Sequence, residues 1–338
     1  MKILVTGGLG FIGSHTVVSL LEEGFEVIII DNLSNSSISV LQGITSITDK
    51  SPKFYKLDLR DKYEISDFFE ENPDIAGIIH FAASKAVGES VEKPLLYYEN
   101  NINTLVHLLQ EMRRRNIENF IFSSSCTVYG QADSLPITEK APKKPAESPY
   151  GNTKQIGEEI IQDFIKSETT FKAICLRYFN PIGAHPSAKI GELPIGVPQN
   201  LVPFITQTAV GKREELSVFG DDYNTEDGTC IRDYIHVVDL ANAHVIALQR
   251  LLENNNKAAY EIFNLGTGKG NSVLEVIQTF EKATNQKLPY KIVGRREGDV
   301  VAAYADTLKA NTELQWKAEY SLEDALKSAW TWQQKQEY

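Results

Sequence analysis

The first stretch of this chain, from Lys2 to Asp31, constrains its fold more than any other. Lys2-Ile-Leu-Val-Thr6 is a short apolar run of the kind a buried strand needs; it passes straight into Gly7-Gly-Leu-Gly10-Phe-Ile-Gly13, and Ser14 to Glu23 carries a helical pattern. Glu26 to Ile30 is a second apolar strand, ending in Asp31. Strand, glycine turn, helix and strand make a dinucleotide-binding unit. Glycines permit the tight turn and the close approach of backbone to a pyrophosphate, the helix N-terminus attracts its charge, and a carboxylate ending the second strand accepts bonds from the adenosine ribose while repelling a 2′-phosphate. The spacing is G-x2-G-x2-G rather than G-x-G-x2-G, so the flanking strands and Asp31 carry the assignment together with Gly7, Gly10 and Gly13. Asp31 favours NAD over NADP.

Apolar strands near 2–6, 26–30, 53–57, 76–81, 119–124 and 172–177 alternate with helical patterns near 12–23, 62–72, 94–115 and 150–166. Such alternation predicts an α/β fold, a doubly wound parallel sheet covered on both faces. After about Asn180 the character changes: Pro181, Pro186, Pro194, Pro198 and Pro203 fall close together and mark loops and a boundary. Beyond them, strands at 216–219, 260–265 and 290–293 mix with helices at 201–211, 239–254, 272–284 and 321–335. The expected division is a Rossmann domain over 1–180 and a smaller mixed α/β lobe over 181–338, with segments near 233–238 and 261–268 as candidates to return to the first domain.

At 338 residues the chain is long enough for a full hydrophobic core without disulfides. Cys126, Cys175 and Cys230 are too few and too scattered for a disulfide framework or a zinc site, which suits a reducing compartment. The first apolar run is too short for a signal peptide, and no run approaches the roughly 18 apolar residues of a membrane span, so a soluble, cytoplasmic protein with no membrane partner is expected. A net charge of −11 argues against a nucleic-acid partner. No histidine pair among His15, His80, His107, His185, His236 and His244 has metal-ligand spacing, and no metal is expected.

The chemistry-bearing stretch is Tyr150-Gly-Asn-Thr-Lys154, with Ser125 at the end of the apolar run before it. A tyrosine and a lysine at this spacing share one helix face, so the ammonium sits beside the phenol and favours phenolate, a usable base. Tyrosine ordinarily titrates near pH 10, and making it a base at neutral pH requires lowering that by about 3 units, or about 4 kcal/mol. The lysine supplies part of this and a nicotinamide cation nearby would supply more. Cys126 has no accompanying base motif and is read as structural.

Many ordered stretches carry a resemblance. They are Thr6 to Gly13, Asp31-Asn-Leu, His80 to Ser90, Ser123-Ser-Ser-Cys-Thr-Val-Tyr-Gly130, Tyr150 to Lys154, Arg177-Tyr-Phe-Asn-Pro181, Gly183-Ala-His-Pro186, Gly228 to His236 and Arg295-Arg-Glu-Gly-Asp299. Along essentially its whole length the chain resembles the extended short-chain dehydrogenase/reductases and, within them, the UDP-glucose 4-epimerase family. The related dehydratases carry an Asp-Glu pair after the strand that ends here at Phe122, where this chain has Ser124-Ser-Cys-Thr127. The resemblance implies Ser125, Tyr150 and Lys154 as catalytic residues, with Tyr150 and Lys154 also touching the cofactor. It implies further NAD contacts from Phe11, Ile12, Asn32, Asn35, Asp58, Leu59, Phe81, Ala82, Ala83, Lys85, Asn100 and Phe179. Asp58 has the alternative of capping the helix at 62–72. For a UDP-sugar the resemblance implies Asn180 and Asn200 at the diphosphate, Arg232 and Arg296 as a clamp, Asp299 on ribose hydroxyls, and Phe219 with Leu201 bordering the uracil.

Ala303 stands where some members of that family carry a tyrosine lining the sugar pocket, which leaves room near the hexose 2-position and extends the expected substrates to N-acetylated UDP-hexoses. Tyr304, one position on, is the alternative filler of that space. A homodimer is expected from the likeness of the helices near 94–115 and 150–166 to paired helices of the superfamily; Leu105, Leu108, Leu109 and Met112 recur at helical spacing, and the alternative is that they pack on the sheet. Two other functions fit parts of the pattern: an idle dinucleotide sensor, and a UDP-sugar decarboxylase or another oxidoreductase of the superfamily.

Overall fold

The computed structural model describes residues 1–296 and 298–336. In chain order the first elements are β1 (Lys2–Thr6), α1 (Phe11–Glu22), β2 (Glu26–Asp31), α2 (Ser39–Thr48), β3 (Lys53–Lys56), α3 (Lys62–Glu71) and β4 (Ile75–His80). Then come α4 (Val87–Glu92), α5 (Pro94–Tyr98), a π-turn over Glu99–Asn103, α6 (Thr104–Arg115), β5 (Asn119–Ser125), a 3-10 turn over Cys126–Tyr129, α7 (Pro149–Ser167) and β6 (Lys172–Tyr178). The later part runs β7 (Asn180–Ile182), α8 (Leu201–Ala209), β8 (Leu216–Phe219), β9 (Ile231–His236), α9 (Val237–Leu252), β10 (Tyr260–Leu265) and β11 (Gly270–Ser272). It ends with α10 (Val273–Thr284), β12 (Tyr290–Val293), β13 (Ala302–Ala303), a π-turn over Ala310–Leu314 and α11 (Leu322–Gln334).

Seven parallel strands form the main sheet in the order β10-β6-β5-β4-β1-β2-β3. Alternate residues of each strand face opposite layers. Ile3 and Val5 pack with Val17 and Leu20 of α1 and with Leu240 and Leu248 of α9. Leu4 faces the other way, toward Ile65 and Phe69 of α3 and Leu105, Leu108, Leu109 and Met112 of α6. Each such side chain contributes about 1.5–3 kcal/mol on burial, which explains why continuous apolar runs are readable as strands. The strand order reverses between β1 and β4, and at such a switch point the loops leaving the carboxyl ends diverge and open a crevice.

Several expectations are corrected. Leu105, Leu108, Leu109 and Met112 are at most 3% exposed and pack on the sheet, so they form no outer contact face. The segment 233–238 does not join the main sheet: β9 pairs with β7, β11 and β13 in a small mixed sheet, and Val237 and Val238 open α9. β10 does join it, as its outermost strand beside β6. The helix read over 94–115 is interrupted by the π-turn, and α2, α4, β7, β11 and β13 come in addition to the expected elements. β8 and β12 pair in parallel as a separate ribbon.

Candidate active site

The glycine turn is cut to the shape of its neighbours. Gly7 has φ +68°, and a Cβ there would lie 2.8 Å from the Ala82 amide; a Cβ on Gly13 would lie 2.2 Å from the Gly7 carbonyl oxygen. The Gly10 amide donates to that same oxygen at 3.0 Å, and Gly10 caps α1 without a side chain, leaving the first turn, with Phe11 and Ile12, unobstructed. The buried Asp31 carboxylate accepts from the Leu9 amide at 3.1 Å, the Leu33 amide at 2.9 Å and the Ser36 hydroxyl at 2.7 Å, which ties it to the turn. A side-chain-free cradle at a helix N-terminus with an oriented carboxylate beside it fits a dinucleotide.

Asn32 donates to Asp58 at 3.1 Å, and the Arg60 guanidinium beside Asp58 holds its carboxyl down to about 2. Asp58 does not cap α3; Asp61 does, accepting from the Tyr63 and Glu64 amides. Leu59 is buried and Asn35 is exposed. Past β4, Phe81, Ala82 and Ala83 line the loop half-buried, and the Phe81 amide donates to Thr6. Asn100 donates to the Ser84 hydroxyl at 3.1 Å. Its neighbour Asn101, absent from the sequence expectations, fastens this loop: it accepts from the Ser84 amide at 2.8 Å and donates to the Ser84 carbonyl and to Thr153 of α7, each at 3.0 Å. An asparagine pair inside an apolar helical pattern is the signal that would have found it.

Tyr150 sits in the first turn of α7 because Ser148 caps that helix, accepting from the Gly151 amide, and Pro149 starts it with φ already helical. β5 delivers Ser125 to the same place; Ser125, Tyr150 and Lys154 are all buried. Lys154 Nζ donates to the Ser123 carbonyl at 2.6 Å and lies 5.0 Å from the Phe122 ring centroid and 5.9 Å from that of Tyr150. Burial lowers Lys154 to about 8. Burial also pushes the Tyr150 phenol well above its ordinary value, with a hydrogen bond to Ser125 acting in the opposite direction. Burial disfavours both charged forms, a desolvation effect that residue spacing alone does not reveal.

The residues expected on the substrate side fall into two groups, one about Arg232, Arg296 and Asp299 and the other about Asn200, Glu192 and Lys85. Arg232 of β9 donates to the Ile231 and Val300 carbonyls, each at 2.8 Å, and reaches Asp299 at 3.3 Å. Arg296 donates to Asp299 at 2.9 Å, its guanidinium 5.7 Å from the half-exposed Phe219 ring. Arg295 turns instead to Asp222 and stacks on Tyr223, and Glu297 lies outside the described residues. Phe179 is buried at the end of β6, and Asn180 opens β7 opposite Tyr234. Asn200 precedes Leu201 at the head of α8 and donates to Glu192 at 2.6 Å; Lys85 reaches the same Glu192 oxygen at 3.3 Å. Ala303 is buried in a cluster with Val128, Phe179 and Cys126, whose thiol burial pushes up to about 11. Tyr304 packs elsewhere, beside Gly270, where a Cβ would lie 3.0 Å from its ring.

The sequence model of the family described as GDP-mannose 4,6 dehydratase matches residues 4–329. The chain is 51% identical to the UDP-glucose 4-epimerase of Haemophilus influenzae over 98% of its own length and 97% of that protein. It is 52% identical to the bifunctional protein gal10 of Schizosaccharomyces pombe over 98% of its own length, and spans about half, 47%, of that longer relative. Its fold superposes on a crystal structure of UDP-glucose 4-epimerase from Bifidobacterium longum in complex with NAD+ and UDP with a TM-score of 0.95 at 47% identity, covering 99% of this chain and 98% of that one. On these likenesses, which run along nearly its whole length, the chain belongs to the UDP-glucose 4-epimerase family of extended short-chain dehydrogenase/reductases.

Proposed function

We propose that this chain interconverts UDP-glucose and UDP-galactose through a 4-keto sugar, with NAD as a resident cofactor restored in every cycle. The observation that carries the reading is the meeting of Ser125 and Tyr150 at the carboxyl end of β5 and the head of α7, with the glycine cradle in the same sheet and a two-arginine cluster on the other lobe. The C–H bond at C4 beside a hydroxyl is too weak an acid for direct deprotonation, so inversion there calls for prior oxidation. NAD when bound supplies a hydride acceptor that returns the hydride to the opposite face, and a positive charge that favours the ionised phenol beside it.

The chain's own residues do the rest. Tyr150 Oη takes the proton of the 4-hydroxyl and later gives it back; Ser125 Oγ orients the same oxygen. Lys154 holds the nicotinamide ribose. Gly7, Gly10, Phe11, Ile12, Gly13, Asp31, Asn32, Asn35, Asp58, Leu59, Phe81, Ala82, Ala83, Lys85, Asn100 and Phe179 hold the remainder of the cofactor. Asn180, Asn200, Leu201, Phe219, Arg232, Arg296 and Asp299 anchor the nucleotide, while the hexose is held loosely enough to turn over about the diphosphate linkage. Asp299 already carries both guanidinium partners, so the clamp is positively charged on balance and suits a diphosphate. Ser124 to Thr127 offer no carboxylate for eliminating water, which disfavours dehydration.

The proposal extends to N-acetylated UDP-hexoses, supported by the methyl of Ala303 and by Tyr304 packing beside Gly270. It also extends to a cytoplasmic homodimer. Among the described residues no helix is long and apolar enough to cross a membrane, and the cysteines are free; α5 leaves Leu95 and Leu96 exposed beside α7, in keeping with a second copy. The activity is tested by incubating purified protein with UDP-galactose and no added NAD. Formation of UDP-glucose, abolished in Tyr150→Phe, is expected; a dehydrated product, or none, refutes the reading.

A further inference from the structure

Behind the catalytic pair lies a buried charge that the mechanism above does not use. Glu158 follows Tyr150 and Lys154 on the same face of α7, a turn beyond the lysine at the same spacing, and is fully buried. Its carboxylate accepts from the Ser124 hydroxyl of β5 at 2.6 Å, from Arg177 of β6 through two guanidinium nitrogens, and pairs with Lys143 at 2.8 Å. Arg177, itself 2% exposed, also donates to Tyr129, which donates to Asn264 of β10. One carboxylate therefore joins α7 to two adjacent strands, and one of its partners is the residue immediately before Ser125. A buried ion pair adds little net stability, because desolvation consumes most of the attraction, so its presence here calls for another role.

We infer that Glu158 is the positioning residue of this site: through Ser124 and Arg177 it sets α7 against β5 and β6, so that Tyr150 and Ser125 meet the same substrate oxygen. The inference rests on the catalytic reading of Tyr150 and Ser125 given above. Two bonds fix this register, Ser124 to Glu158 and Lys154 to the Ser123 carbonyl, from successive residues of β5. Glu158 also acts on Lys154 electrostatically. Burial lowers the lysine to about 8, while Cys175 of β6 and Glu158 act in the opposite direction; Tyr150 on the same helix and His80 of β4 are the other titratable groups near it. Lys154 works as an ammonium, so activity falls as pH rises through its titration, and removing the Glu158 charge moves that fall to lower pH.

The test uses the holoenzyme and three variants. In Ser124→Ala, which leaves the ion cluster intact, kcat for UDP-galactose falls about tenfold with KM and melting temperature held, as expected for loss of orientation. Glu158→Gln combined with Lys143→Met, which conserves net charge, shows a similar loss and an alkaline limb of kcat displaced to lower pH. A folded double variant with the parent's kcat and alkaline limb overturns the inference. If the double variant does not fold, Ser124→Ala decides: undiminished kcat overturns the inference and a tenfold loss at constant KM upholds it. Tyr150→Phe separates the layers. Full turnover in that variant brings down the catalytic reading itself, whereas an inactive Tyr150→Phe beside unaffected Ser124→Ala and double variants brings down the role of Glu158 alone.

Discussion

Tyr150 and Lys154 share the helix face that their spacing demands, yet the ammonium reaches past the phenol to the Ser123 carbonyl, and burial acts on both groups. Proximity in sequence located the pair; the direction of its electrostatics depended on the solvent that the fold excludes. At the proposed sugar pocket the residue scale yields a sharper result. Ala303 and Tyr304 are successive residues of extended chain and point to opposite sides, Ala303 into the cluster with Phe179 and Cys126 and Tyr304 beside Gly270. Ala303→Tyr places a phenol ring where a methyl now sits. It is expected to lower turnover of UDP-N-acetylglucosamine at least about tenfold while sparing UDP-glucose, since a bulky wall excludes the larger group far more than the smaller one. Coupled assays of the two sugars side by side check this; equal loss of both contradicts it.

At the level of elements, the inner strands of the main sheet were legible because they are buried on both faces and read as largely apolar runs, as in Val27 to Ile30 or Phe120 to Phe122, whereas the edge strand β3 has exposed lysines at both ends. The small sheet was not. β9 carries Arg232 and Asp233 in its middle, β13 is two residues long and β11 is Gly-Asn-Ser, so their pairing follows from tertiary placement rather than from any pattern of their own. α2 was likewise missed: Gly43 and four serines and threonines lower its helix propensity, although Val40, Ile44 and Ile47 recur at helical spacing and pack on the core. The glycine turn was readable from its sequence, whereas the Asn101 fastening and the Glu158 cluster were hidden, because polar residues inside helical patterns gain meaning only from partners distant in sequence. The turn from β1 to α1 makes its own demand. Gly13→Ala would set a methyl within 2.2 Å of the Gly7 carbonyl oxygen, forcing α1 away from the turn. A stability loss of about 1–3 kcal/mol is expected, together with loss of most NAD on purification. Thermal melting and assay of cofactor released by acid check both; a variant that retains its cofactor and its melting temperature contradicts the argument.

For the whole molecule, the dimer proposal now rests on surface rather than on the apolar stripe of α6, which faces inward. Light scattering at micromolar concentration is expected to give the mass of two chains, and the mass of one chain refutes the proposal. The placement of β10 carries a wider consequence. One edge strand of the main sheet is contributed by residues that follow β7, α8, β8, β9 and α9, and it bonds along its full length to β6, from Ala173 to Tyr178. The two halves are thus interlaced rather than threaded one after the other like beads. Severing the chain at the proline-rich stretch would strip that border and leave a bare row of amides and carbonyls, ready to recruit a neighbour's backbone.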